Sequence, residues 1–173
     1  MNEYGHKAEN MVKLAERRVF SNSFTPLYDE GMALVERAAE YLDGDGRCEA
    51  KHLSRNASAL YAAESMRLTT RLMQIASWLL LQRAANSGEM TRDQVAAEKA
   101  KVRLDTASAQ DNAPCWDELP GSFCGLIDHS LRLQQRVRAM DEQLYGDLAA
   151  NDAIASNPVS NQIHLLRTAF GRG

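Results

Sequence analysis

Apolar residues recur along this chain at three- and four-residue steps, and the recurrence marks out three long helical stretches. In the first, Leu27, Leu34, Val35, Ala38 and Leu42 share one face, while Asp29, Glu30, Glu36, Arg37 and Glu40 fall largely off it. Thr25-Pro26 places a capping residue before a proline, whose missing N–H costs nothing at the first helical position, so the spacing predicts a helix from there to about Leu42. Gly31 is a mild weakness inside it. Asp43-Gly44-Asp45-Gly46 ends it, with glycines supplying the left-handed and turn conformations that other residues disfavour. The same four residues do not make an EF-hand loop, because Arg47 stands at position five and no Glu at position twelve.

The second stretch, Ala57 to Arg83, is apolar over about half its circumference at 100° per residue. Tyr61, Ala62, Ser65, Met66, Leu68, Thr69, Leu72, Met73, Ile75, Ala76, Leu79 and Leu80 fall on one broad arc, which predicts contact with two neighbouring helices at once. Glu64, Arg67, Arg71 and Gln74 occupy the opposite arc, with Trp78 among them. Ser54, Asn56 or Ser58 can cap this helix, a charged linker over 47–55 precedes it, and Asn86-Ser87-Gly88 is a stop signal. Thr91 and Gln94 form a capping box for a further helical piece from Arg92 to about Leu104. Asp105 to Ala113 reads as a mobile loop.

The third stretch has the clearest period. Leu119, Phe123, Leu126, Ser130, Leu133, Val137, Met140 and Leu144 follow at alternating steps of four and three, with Ile127 and Leu131 widening the seam as a bundle requires. Pro120 can open this helix and Gly146 can close it. The fold predicted is all-α, an up-down-up bundle of three long helices over 22–146, preceded by an N-terminal extension over 1–21. Residues 147–173 lack enough large apolar side chains to offset ordering entropy and read as a flexible tail. At its end Ile163, Leu166 and Phe170 would share one helical face, either docking on a partner or packing back on the bundle.

Composition narrows the function. Lys and Arg number 20 against 23 Asp and Glu, a net charge of -3, which disfavours a nucleic-acid-binding regulator built on the same helices. The N-terminus has charges throughout and no signal-like apolar core, and Arg71 and Arg83 bracket the greasiest run too closely for a membrane span. Cys48, Cys115 and Cys124 are odd in number and lack Cys-x-x-Cys spacing, consistent with free thiols in a cytoplasmic, reducing setting.

No nucleotide, nucleophile or metal motif survives inspection, so neither catalysis nor a cofactor is expected. Asp128-His129 is not a positioned dyad, since consecutive helical residues point about 100° apart, and His129 is expected in solvent. The stripe of Glu64, Arg67, Arg71, Gln74 and Trp78 has three readings. It is a solvated ion-pair face, or an Arg and Trp recognition surface, or a stripe whose tryptophan is covered by the first helix or the Trp116 loop.

The strings GMALVERAAEYLDGDGR and ESMRLTTRLMQIASWLLLQRA, followed by GEMT and EKAKVRL, and the NPV and LLRTAFG of the tail, resemble the alphaproteobacterial family of the regulator of CtrA degradation, RcdA. The likeness runs from the first helix to Leu104 and through the tail motif; the first twenty residues and Thr106–Trp116 fall outside it. The resemblance implies a dimeric three-helix bundle without catalytic residues, serving as an adaptor for the ClpXP protease. It further implies priming by a CpdR-like factor, cargo that includes transcription regulators such as CtrA, and a PopA-like partner that binds cyclic di-GMP in place of this chain.

Overall fold

The computed structural model describes residues 3–109 and 113–155, with side chains described from 22 to 146 apart from 92 and 110–112. Every regular element among them is helical: α1 (Glu3–Asp43), α2 (Asp45–Ala50), α3 (Arg55–Ser87), α4 (Arg92–Lys99), a short 3-10 turn (Trp116–Glu118) and α5 (Gly121–Ala155). Two compact units divide the chain. Met1–Gln134 holds α1 to α4 and the opening of α5, and Gln135–Gly173 contains the rest of α5.

The first helix does not begin at Thr25-Pro26. α1 carries Pro26 in its interior, although a proline there forfeits one i to i−4 hydrogen bond and costs about 3 kcal/mol. Burial on both sides of it accounts for the continuity, since Phe24 and Leu27 are 8% and 3% exposed and the Phe24 ring lies 6.0 Å from that of Tyr28. Gly31 then has a packing role that helix propensity does not reveal. A Cβ at this position would overlap Leu79 Cδ1, and would lie 3.8 Å from Leu133 Cδ2 and 3.9 Å from Ile75 Cγ2. α1, α3 and α5 meet here at close range because the side chain is missing, and Leu34, Leu68, Ile75, Leu79, Phe123, Ile127 and Leu133 are buried as the apolar core of this unit.

Asp43-Gly44-Asp45-Gly46 ends α1 as expected, but for a different reason. Gly44 has a negative φ of −105° and 45–50 form α2 in place of an open linker. Gly46 is needed for space: a Cβ there would lie 2.5 Å from the Tyr61 hydroxyl, 2.7 Å from Tyr41 Cε1 and 2.8 Å from the Tyr41 carbonyl oxygen. Both tyrosine rings flank Phe123, Tyr61 at 4.5 Å and Tyr41 at 6.1 Å between centroids. Because a main-chain oxygen cannot yield as a side-chain tip can, Gly46→Ala should lower stability by about 1–3 kcal/mol, read as a shift of the urea midpoint. An unchanged midpoint would show that the Tyr41–Tyr61 contact is loose.

The ends of α3 and α4 follow the sequence closely. Ser54 caps α3 by accepting from the Ala57 N–H at 3.3 Å, and Gly88 stops it in the left-handed region at φ 78°. Thr91 and Gln94 complete both halves of a capping box. α4 stops at Lys99, short of Leu104, and buries Val95. The expected seam is buried at Leu119, just before α5, and at Phe123, Ser130 and Leu133 within it, widened by Ile127. Gly146 does not terminate this helix, which continues to Ala155; the Leu148-Ala149-Ala150 run that follows it has high helix propensity. The apolar motif of Ile163, Leu166 and Phe170 lies outside the described residues. No described helix is long and apolar enough to cross a membrane.

Candidate functional site

α3 is rolled by about a quarter of a revolution from the sequence expectation: Leu68, Leu72, Ile75 and Leu79 of the predicted apolar arc are buried, but its far edge is not. Glu64, Arg71 and Trp78, placed above on a polar outer stripe, are each 0% exposed, whereas Met66 and Met73 are 73% and 65% exposed and Leu80 is 51% exposed. The two sets lie on opposite lines of the helix, since residues two apart are separated by about 200°. Of the predicted recognition stripe, Arg67 is exposed, Gln74 is half-buried, and the remaining three are out of a partner's reach.

The buried polar line is occupied by a clamp. Glu64 accepts three hydrogen bonds: from the Ala109 N–H at 2.8 Å, from the Ser108 hydroxyl at 2.7 Å and from Arg67 at 2.5 Å. Burial alone would raise its pKa, but the Ala109 N–H, Ser108 and Arg67 together outweigh that and hold the carboxyl below its usual range. About two turns on along the same buried line, Arg71 donates to the Thr106 carbonyl at 3.1 Å and to the Ser130 hydroxyl of α5 at 2.7 Å. Burial pulls its pKa down, Glu64 opposes the fall and Arg67 adds to it, yet a guanidinium so far above neutrality stays charged. Gln74 accepts from Thr106 Oγ1 at 2.8 Å, and Gln134 of α5 donates to the Leu104 carbonyl at 2.8 Å.

These contacts correct the reading of Asp105–Ala113 as a mobile loop over its first part: 104–109 is an extended segment fastened to α3 and α5 by buried polar groups. Arg71 Nη2 and Gln134 Oε1 remain buried without a hydrogen-bond partner. The carboxylate of the clamp, by contrast, is occupied by three donors. Nothing in this arrangement leaves a base or nucleophile free to act on a substrate.

His129 is likewise not the solvent-exposed side chain expected from helix geometry alone. Arg37 of α1 donates to its Nδ1 at 2.8 Å, so Nε2 carries the proton and donates to Glu30 at 2.9 Å. An open groove of about 320 Å³ runs beside this relay, lined by Arg37, Tyr41, Leu126, His129 and Arg132 among others.

The outward face of α3 is the other distinctive surface. Ala59, Ala62, Met66, Thr69, Met73, Ala76 and Leu80 follow at alternating steps of three and four, the spacing of a helix–helix seam. The hydroxyls on this side turn inward on their own helix: Thr69, Thr70 and Ser77 each donate to the carbonyl four residues back at 2.8 Å. Arg83 closes the C-terminal end, donating to the Tyr28 hydroxyl at 2.7 Å with its guanidinium 5.1 Å from that ring's centroid. A surface that is apolar, small and already hydrogen-bonded is suited to binding, with no reacting group on it.

Residues 15–170 match the family described as "Protein of unknown function (DUF1465)". The chain is 48% identical to RcdA from Caulobacter crescentus CB15 over 70% of its own length and 90% of that chain, with a TM-score of 0.59. No curated protein matches it. The chain belongs to the RcdA family.

Proposed function

We propose that this protein is a non-enzymatic adaptor that tethers cargo, including cell-cycle transcription regulators such as CtrA, to the CpdR-primed ClpXP protease. The observation that carries the reading is the 48% identity to RcdA across most of that chain. A PopA-like effector supplies cyclic di-GMP binding, and this chain binds none. In this reading the protein works in the cytoplasm as a homodimer of up-down-up three-helix bundles, with the C-terminal motif of Ile163, Leu166 and Phe170 reaching the protease or a partner. The exposed face of α3 and the occupation of the buried carboxylate by three donors both favour a protein whose output is binding.

The physical mechanism is an increase in effective concentration. Linking cargo to the protease turns a bimolecular encounter into a local one, and such linkage raises apparent affinity by about 10²–10⁴ without new chemistry. In a reconstituted reaction with primed protease, adding this protein should accelerate cargo degradation by about tenfold or more. Ending the chain at Asn157 should remove most of that gain. No acceleration with any cargo would discard the adaptor role, and full activity of the shortened chain would discard the role of the tail.

A further inference from the structure

We infer that the outward face of α3 is a docking site for an amphipathic helix of another protein, one whose apolar stripe is bordered by acidic residues. The inference stands on α3 itself and not on the protease role. Met66, Met73 and Leu80 are the large apolar side chains left exposed among the described residues, and all three lie on one line of one helix. Exposed methionines suit a binding surface because an unbranched thioether adapts its shape to the partner. Ala62, Thr69 and Ala76 alternate with them, so a second helix can approach closely between the larger side chains.

Covering this face leaves few polar groups stranded. Its threonine and serine hydroxyls already donate to carbonyls of α3, so a docking helix need not replace water at those donors. Charge then selects the occupant. Glu64 is the single acidic residue of α3 and is buried, where it is paired with Arg67, whereas Arg55 and Arg83 remain exposed toward the two ends of the outward side. A second copy laid antiparallel about Thr69 would bring Arg55 opposite Arg83, and a parallel copy would set each arginine beside its own equivalent. Both arrangements oppose like charges, which selects against self-pairing and for a helix with carboxylates on its borders.

The test uses the full chain and two designed helical peptides of about three heptads. Both carry an identical Ala/Leu stripe; one has Glu at the flanking positions and the other Lys. By fluorescence anisotropy the Glu-bordered peptide should bind at least about tenfold more tightly than its Lys twin. Met66→Asp and Met73→Asp should each weaken it by about tenfold or more while leaving the helical circular dichroism and the urea midpoint unchanged. Equal binding of the two peptides would overturn the inference, as would indifference to both aspartates. Sedimentation supplies the remaining arm: self-association of the wild-type chain abolished by Met73→Asp would assign the face to a second copy and overturn the partner proposed here.

Discussion

Trp78→Ala should destabilise the protein by about 3–5 kcal/mol, the range for emptying a fully buried aromatic site. Trp78 is 0% exposed, with fully buried Ile75 and Leu79 beside it on α3. The lost stability combines the transfer energy of the indole with the cavity it leaves, so Trp78→Phe should cost less. Loss of function in the alanine variant would then track unfolding: binding should return at lower temperature or with a stabilising osmolyte. The aspartate variants of the outward face should show the reverse, with stability kept and binding lost. A Trp78→Ala chain whose urea midpoint corresponds to a change under about 1 kcal/mol would contradict the burial described above.

Glu64→Ala should cost a comparable amount, about 3–5 kcal/mol, because it leaves the Arg71 guanidinium in the interior without the nearby carboxylate and strands the Ala109 N–H. Glu64→Gln keeps one acceptor and forfeits the charge, so about 1.5–3 kcal/mol is expected at neutral pH. The pH dependence has a definite sign. The carboxyl is held lower in the folded chain than in the unfolded one, so its contribution is fully present above the unfolded value. It is lost as pH falls through the folded one. The stability gap between wild type and Glu64→Gln should therefore narrow in the acid range and stay constant from there to neutrality. Equal urea midpoints for the two chains at pH 7 would show that 104–109 is not held by this charge. Hydrogen exchange offers a local readout, since the Ala109 amide should exchange faster in Glu64→Ala even where the core amides remain protected.

Much of the local structure was legible because caps and stops depend on one or two residues acting on their own backbone. Ser54, Gly88 and the Thr91–Gln94 box each behave as their chemistry dictates, and the alternating seam of α5 reports its buried side directly. The orientation of α3 was not legible from hydropathy, for a physical reason. A helix whose apolar and small residues span about half its circumference can roll about its axis and still bury much of that arc; Leu68, Leu72, Ile75 and Leu79 stay inside as expected, and charge suggested the wrong roll. The line Glu64, Arg71, Trp78, stepping by seven, held the better clue: a tryptophan is costly to expose, and a carboxylate and a guanidinium a heptad apart can go inward together if main-chain and hydroxyl partners are supplied.

Those partners came from Thr106, Ser108, Ala109 and Ser130, and no local pattern announces them, since they are far from α3 in sequence. Gly31 and Gly46 were opaque for a related reason. The space each glycine leaves is set by another helix's side chains, so sequence reports the missing Cβ without showing what fills its place. The continuation of α1 through Pro26 is another case in which tertiary burial outweighed a local signal. The Arg37–His129–Glu30 relay joins two helices distant in the chain and could not be inferred from His129 alone.

The way 104–109 is fastened also bears on which positions can change over evolutionary time. Leu104, Thr106 and Ala109 engage Gln134, Arg71 and Glu64 through main-chain atoms, which every amino acid except proline provides at the N–H and every one provides at the carbonyl. The segment is thus gripped by its backbone more than read by its side chains. Apart from the hydroxyls of Thr106 and Ser108, which donate to Gln74 and Glu64, its residue identities are comparatively free to drift, while the demand for a fixed residue type falls on Glu64, Arg71 and Gln134. Relatives can differ along this loop and still place it along the same path, which makes it a region where surface character can diversify without redesign of the helices beneath.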